Sequence, residues 1–216
     1  MNLIKRNRVF QIAYPLLVYF TIYQLGVSLL IDLYGDKIGK LSCLCIAGIA
    51  CFIPLFVIYR NIPKIIPEDN IDSKRILQYA IWVISVIAIG VALNVILTHS
   101  GIINHSDNFA KASNTLTDGT FYIKLLCNVI VVPLVEELLI RGIIAGQLCL
   151  WHGPVVAVVF SSICFGIMHN NIVQFIYAVV VGLAIGTMYV KTKRLSLCVI
   201  AHGCINLITI LFSYFS

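Results

Sequence analysis

Charge is what this sequence has least of. Asp, Glu, Lys and Arg make up 11% of the 216 residues, against about 25% in an ordinary soluble domain, and 60% are hydrophobic. That shortfall excludes a soluble globular domain and a disordered chain. No helix carries a basic face, which excludes a nucleic-acid-binding module. Cysteine occurs eight times, at 43, 45, 51, 127, 149, 164, 198 and 204, but no pair has the C-x-x-C spacing of a redox or metal site. Most of these thiols lie inside apolar runs, where Cys acts as a small hydrophobe. H-E-x-x-H is missing, and so is any internal repeat or low-complexity tract.

What remains is a series of apolar runs: Val9 to about Leu33, Leu41 to Tyr59, Ile76 to Thr98, Phe121 to Trp151, Val155 to about Met168, Ile172 to Val190 and Leu195 to Phe212. At roughly 20 residues per span, this length accommodates at most about seven or eight helices across a bilayer. The first run is too long for a signal-peptide core and lacks an A-x-A-like cleavage site, so it reads as a retained span. The expected architecture is an all-α polytopic membrane protein, a bundle of about seven transmembrane helices, or eight, forming one integral membrane domain over residues 1–216. Residues 60–75 and 99–120 read as polar loops, and His152-Gly153-Pro154 as a turn. Gly182 and Gly186 have the small-xxx-small spacing that lets helices approach closely.

The cations set an orientation. With the N-terminus inside, ten basic residues fall on inner segments (Lys5, Arg6, Arg8, Arg60, Lys64, Lys74, Arg75, Lys191, Lys193, Arg194) and four on outer ones (Lys37, Lys40, Lys111, Lys124). The positive-inside rule therefore predicts a multi-pass protein of the cell membrane with its N-terminus in the cytoplasm.

Between Leu125 and Val190 the charged residues before the last loop are Glu136, Glu137 and Arg141. Each costs about 2.5–3.5 kcal/mol at a helix centre on insertion scales, so they must be paired or useful. Glu137 and Arg141 stand in the favourable Glu-then-Arg i, i+4 order, which a purely structural ion pair explains. Glu136, about 100° around the helix, is left over and becomes a candidate functional carboxylate.

Of the five histidines, His99, His105 and His152 sit near loops or turns. His169 and His202 lie in or at the end of apolar helices, and each has a helix-spaced companion, Phe165 and Asn206. Phe165 can wall the His169 imidazole from water, and Asn206 shares a face with His202, where both can donate hydrogen bonds. At about 1.5 Å per residue, Glu136 and His169 lie roughly 21–23 Å from the inner edge, with His202 and Asn206 about 12 and 18 Å deep. One site can hold all four.

These residues form three motifs: Glu136-Glu137-Leu138-Leu139-Ile140-Arg141 is E-E-x-x-x-R, Phe165 to His169 is F-x-x-x-H, and His202 to Asn206 is H-x-x-x-N. In this order, each in an apolar segment, they resemble the CAAX protease and bacteriocin-processing (CPBP) family of glutamate-type intramembrane endopeptidases. Pro133 and Gly142 also fit. The resemblance covers about residues 120–210 and implies a catalytic core there. It implies that Glu136 and His169 activate a water molecule and that His202 and Asn206 stabilise the oxyanion. Glu137, Arg141 and Phe165 are supporting residues. No cofactor is implied. The alternative is Zn²⁺ held by Glu136, Glu137, His169 and His202, which the nearby Arg141 would oppose. A Cys–His dyad using Cys164 or Cys204 is a further alternative.

The expected partners are the lipid bilayer and a membrane-associated peptide, either a CAAX-type protein or a bacteriocin or leader peptide, and no nucleic acid. The competing classes are a non-catalytic bacteriocin self-immunity protein and a proton-coupled carrier built on Glu136. A carrier usually shows an internal repeat.

Overall fold

A computed structural model describes residues 7–65, 73–101, 107–169 and 171–215. Lys5, Arg6, His105, Asn170 and positions 66–72 of the loop expected at 60–75 lie outside the described residues. Among the described residues every regular element is a helix: α1 (Arg8–Ile38), α2 (Lys40–Asn61), α3 (Ser73–His99), α4 (Asp107–Leu116), α5 (residues 121–152), α6 (Pro154–Ile167), α7 (Ile172–Thr192) and α8 (Leu195–Phe215).

Five of them, α1, α2, α3, α7 and α8, are long and apolar enough to cross a membrane. α5 runs on through two π-helical stretches, Leu125–Val131 and Leu138–Ala145. α6 has 14 residues, which at 1.5 Å each gives about 21 Å, short of a hydrocarbon core of about 30 Å. The architecture is the expected all-α polytopic bundle. Two details differ from expectation. The polar stretch 99–120 contains α4, and the last helix continues to Phe215.

Helix ends follow local chemistry. Gly39 (φ 85°) and Gly153 (φ 84°) supply left-handed backbone between α1 and α2 and between α5 and α6. Pro154 then opens α6, where its missing N–H costs nothing. Asn171 caps α7 by accepting from the Gln174 N–H at 2.9 Å.

α5 is the central post, packed by α1, α2, α6, α7 and α8. Every residue from Leu138 to Ala145 is buried. α6 and α7 form a close hairpin because α7 offers glycine at the contact. A Cβ on Gly182 would lie 3.1 Å from the Ser162 Cβ, and one on Gly186 would lie 3.5 Å from Val158. The close approach expected from the small-xxx-small spacing is thus present, and it brings α7 within reach of Arg141.

Candidate active site

The two glutamates end a short regular stretch of α5, Val132–Glu137, set between its two π-helical stretches. Such widened turns often mark functional sites, because they re-aim side chains within one helix. Glu137 is fully buried and engaged from two sides. Its Oε1 accepts from Arg141 Nη1 at 3.3 Å and contacts His202 Nδ1 at 2.9 Å. Arg141 Nε approaches Glu137 Oε2 at 3.2 Å as an ion contact off the hydrogen-bonding angle.

The guanidinium is itself fully buried and fixed by two further groups. Nη2 donates to the Gly182 carbonyl at 3.2 Å, and the Arg141 Cζ lies 4.7 Å from the Phe165 ring centroid. A Cβ on residue 182 would sit 3.3 Å from Nη2, so glycine keeps that approach open. The ion pair read from the i, i+4 spacing is present. Its link across the bundle to His202 is new.

Glu136 does not stand alone. Its Oε2 faces His202 Nε2 at 3.9 Å, and both His169 and His202 act on it electrostatically. His202 therefore presents one ring nitrogen to each glutamate. Phe165 packs edge-on against both imidazoles, with centroids 4.9 Å from His169 and 5.8 Å from His202. His169 Nδ1 lies 2.8 Å from the Phe165 carbonyl. A carbonyl only accepts, so Nδ1 carries the proton. In the neutral ring Nε2 is then a bare acceptor.

Asn206 does something the motif spacing does not suggest. Its Nδ2 donates to the backbone carbonyl of Asn128 at 2.8 Å. That carbonyl lies in the first π-helical stretch, where residue i bonds i+5, as the Val132 N–H does to Cys127. The next donor in the series is Pro133, which has no N–H. Pro133 thus frees the Asn128 carbonyl, and Asn206 satisfies it. Gly203 makes the approach possible, since a Cβ there would stand 2.6 Å from the Val129 carbonyl oxygen. Gly203→Ala should therefore push α8 off α5, lowering melting temperature by the equivalent of about 1–3 kcal/mol of overpacking. Thermal unfolding in detergent measures this; an unchanged melting temperature would show that the contact is not tight.

The structure brings Glu136, Glu137, Arg141, Phe165, His169 and His202 into one cluster and places Asn206 one helical turn along, against Asn128. Among the described residues, neither Cys164 nor Cys204 hydrogen-bonds to a histidine. Four residues had no sequence motif to mark them. Asn128 is buried and donates to the Leu116 carbonyl at the end of α4. Tyr19 and Tyr23 of α1 are buried within electrostatic reach of Glu136, and Gln24 donates to the Met168 carbonyl at 3.3 Å. Gln24 and Asn128 can be seen as amides inside apolar spans, where every buried polar group requires a partner.

Residues 118–208 match the protein family described as type II CAAX prenyl endopeptidase Rce1-like. The CAAX-protease resemblance holds. All seven residues singled out in the motifs fall inside this Rce1-like segment. The chain is also similar to a Bacillus subtilis (strain 168) protein named "Putative membrane peptidase YdiL", with 26% identity over 165 residues, covering 74% of this chain and 67% of that protein. No solved structure matches.

Proposed function

We propose that the protein is an intramembrane endopeptidase that hydrolyses a peptide bond in a membrane-associated peptide with a glutamate-activated water. The observation that carries this reading is the pair of facing groups, Glu136 Oε2 and His202 Nε2, 3.9 Å apart in a buried cluster. That gap is too long for a hydrogen bond and suits a bridging water or carbonyl oxygen.

The charges give the mechanism. With His202 as imidazolium, its Nδ1–H donates to Glu137 and its Nε2–H points toward Glu136. Arg141, Glu137, His202 and Glu136 then sum to zero. His169 Nε2 accepts one hydrogen of the attacking water, and Glu136 takes the other proton as the water oxygen bonds to the peptide carbon. The carbonyl oxygen becomes the oxyanion. One negative charge has moved from Glu136 to the oxyanion, still beside His202, so the buried cluster stays neutral throughout. Preorganised donors of this kind are worth a few kcal/mol each in a site screened from bulk water. On collapse, Glu136 returns its proton to the leaving nitrogen, and the C–N bond breaks. Asn206 uses one Nδ2 hydrogen on Asn128; the other remains for the oxyanion.

The reading is metal-free. Glu137 already faces Arg141 and His202, and a dication bound there would be set against a buried guanidinium. Purified protein should cleave a membrane-associated peptide of CAAX or leader-peptide type at an unchanged rate when a zinc chelator is present. Loss of cleavage on chelation, restored by Zn²⁺, would make it a metalloprotease. No cleavage of any peptide, with a self-immunity phenotype that survives Glu136→Gln, would make it a non-catalytic immunity protein.

The basic-residue asymmetry supports an N-terminus in the cytoplasm and α4 outside. In a cysteine-free background, a membrane-impermeant thiol reagent should label Cys introduced at Ser113 from outside. Labelling solely from the cytoplasmic side would reverse the orientation.

A further inference from the structure

His169 sits on the least regular backbone of the site. α6 ends at Ile167 and α7 begins at Ile172, so the imidazole hangs from the link between two helices. Among the described residues, most of the bonds that hold this link come from the hairpin itself. The His169 N–H donates to Gly166 at 3.1 Å, His169 Nδ1 to Phe165 at 2.8 Å, and Asn171 Nδ2 to the His169 carbonyl at 3.1 Å. These fix the ring relative to α6 and α7. They do not fix the link relative to the rest of the bundle.

A contact from outside the hairpin does that. Gln24 Nε2, on α1, donates to the Met168 carbonyl at 3.3 Å, the peptide that leads into His169. The same nitrogen lies 3.4 Å from the Tyr19 hydroxyl, five residues earlier on α1. In an α-helix residues i and i+5 lie about 140° apart around the axis and do not meet. Here Tyr19–Leu25 is π-helical, which stacks i near i+5 and turns both side chains to one side. Tyr19 is buried and packs on Tyr23 with centroids 5.0 Å apart, so it braces the amide. The widened turn of α1 thus has a specific product: an amide donor aimed at the backbone beside His169.

We infer that Gln24 is a positioning residue for His169, holding the α6–α7 link at the depth of Glu136 through the Met168 carbonyl. The inference rests on reading His169 as a member of the water-activating pair. It gives the first helix a direct hold on a site whose motif residues all come from the stretch between α5 and α8.

The test uses the full chain in detergent with Gln24→Leu, which keeps the bulk and removes the donor, and Gln24→Glu, which donates only when protonated. The first readout does not depend on activity: modification of His169 by diethyl pyrocarbonate, followed by mass spectrometry with His152 as internal reference. Gln24→Leu should speed His169 modification severalfold and leave His152 unchanged. In the cleavage assay kcat should fall about tenfold with KM within twofold, because the link is displaced and peptide binding is not. Gln24→Glu should approach wild-type activity as pH falls, as a ratio at each pH, whereas the Gln24→Leu ratio should stay flat.

Unchanged His169 modification in Gln24→Leu, or a Gln24→Glu ratio that ignores pH, would overturn the inference. So would a lowered melting temperature with kcat intact. If Gln24→Leu does not fold, the pH ratio and modification rate of Gln24→Glu decide alone. Absence of cleavage by the unaltered protein would instead count against the protease reading, while the modification arm would still judge Gln24.

Discussion

Glu136→Gln should reduce kcat for peptide cleavage by at least about 10²–10³-fold while leaving melting temperature unchanged or slightly raised. General-base catalysis by a positioned side chain contributes about 10²–10⁴-fold, and glutamine has the shape of glutamate without its basicity. The stability half of the expectation comes from the charge balance. Glu136 faces His202 Nε2 across 3.9 Å and makes no hydrogen bond there, so the folded state loses little when the charge goes. His202 keeps its 2.9 Å contact with Glu137. With His202 then neutral, Arg141 and Glu137 still balance each other, so the isostere leaves no uncompensated buried charge.

His169→Ala should lower kcat for a related reason, since it removes the acceptor nitrogen that Phe165 fixes by binding the other one. Asn206→Ala should behave differently. It removes the donor that satisfies the Asn128 carbonyl as well as any contact with the oxyanion, so melting temperature should fall along with turnover. Kinetics and unfolding measured on the same preparations separate these cases. Glu136→Gln with turnover near that of the unaltered protein would remove Glu136 from the role of base.

Much of this cluster could be read from the chain because the expense of burying charge makes each exception informative. Three charges in one apolar helix had to be explained. The i, i+4 spacing explained two of them and left Glu136. Depth counted from the turns put His169 at its level and His202 within about 10 Å of it, and the cluster has His202 against both glutamates and Phe165 against both imidazoles.

The hidden parts lie where helix geometry departs from 3.6 residues per turn or where a contact crosses between helices. Nothing local to Glu137 announces His202 as its second partner. The π-helical stretch that frees the Asn128 carbonyl gives no period that a sequence scan detects; Pro133 is its one visible trace. Gln24 is in the same position, since α-helical spacing turns it away from Tyr19 and the π turn brings it back. α4 was concealed by composition. Its Ser, Asn and Thr residues favour loops because they compete for backbone hydrogen bonds, yet Phe109, Ala112 and Leu116 already form an i, i+3, i+7 stripe.

Arg141→Ala should be the most destabilising single change at the site. Removing one partner of a buried ion pair leaves an uncompensated charge, at a cost of about 3–5 kcal/mol. At roughly 2–4 °C per kcal/mol for a chain of this size, the melting temperature should drop by about 6–20 °C. Three groups lose a contact together: Glu137, the Gly182 carbonyl and the face of Phe165. Glu137→Gln combined with Arg141→Met should recover much of that loss, because it removes both charges and refills the guanidinium space with a flexible apolar chain. The pair therefore couples strongly in a double-mutant cycle of melting temperature, with the double replacement milder than the sum of the singles. Activity should not return with stability. The amide introduced by Glu137→Gln can still accept from His202 Nδ1, but it no longer balances an imidazolium, so the donor beside the oxyanion is weakened. Recovered melting with depressed kcat is the expected signature of Arg141 acting through Glu137 and His202. Additive effects of the two substitutions, or an Arg141→Ala protein with unchanged melting and no activity, would instead place the guanidinium directly on the substrate.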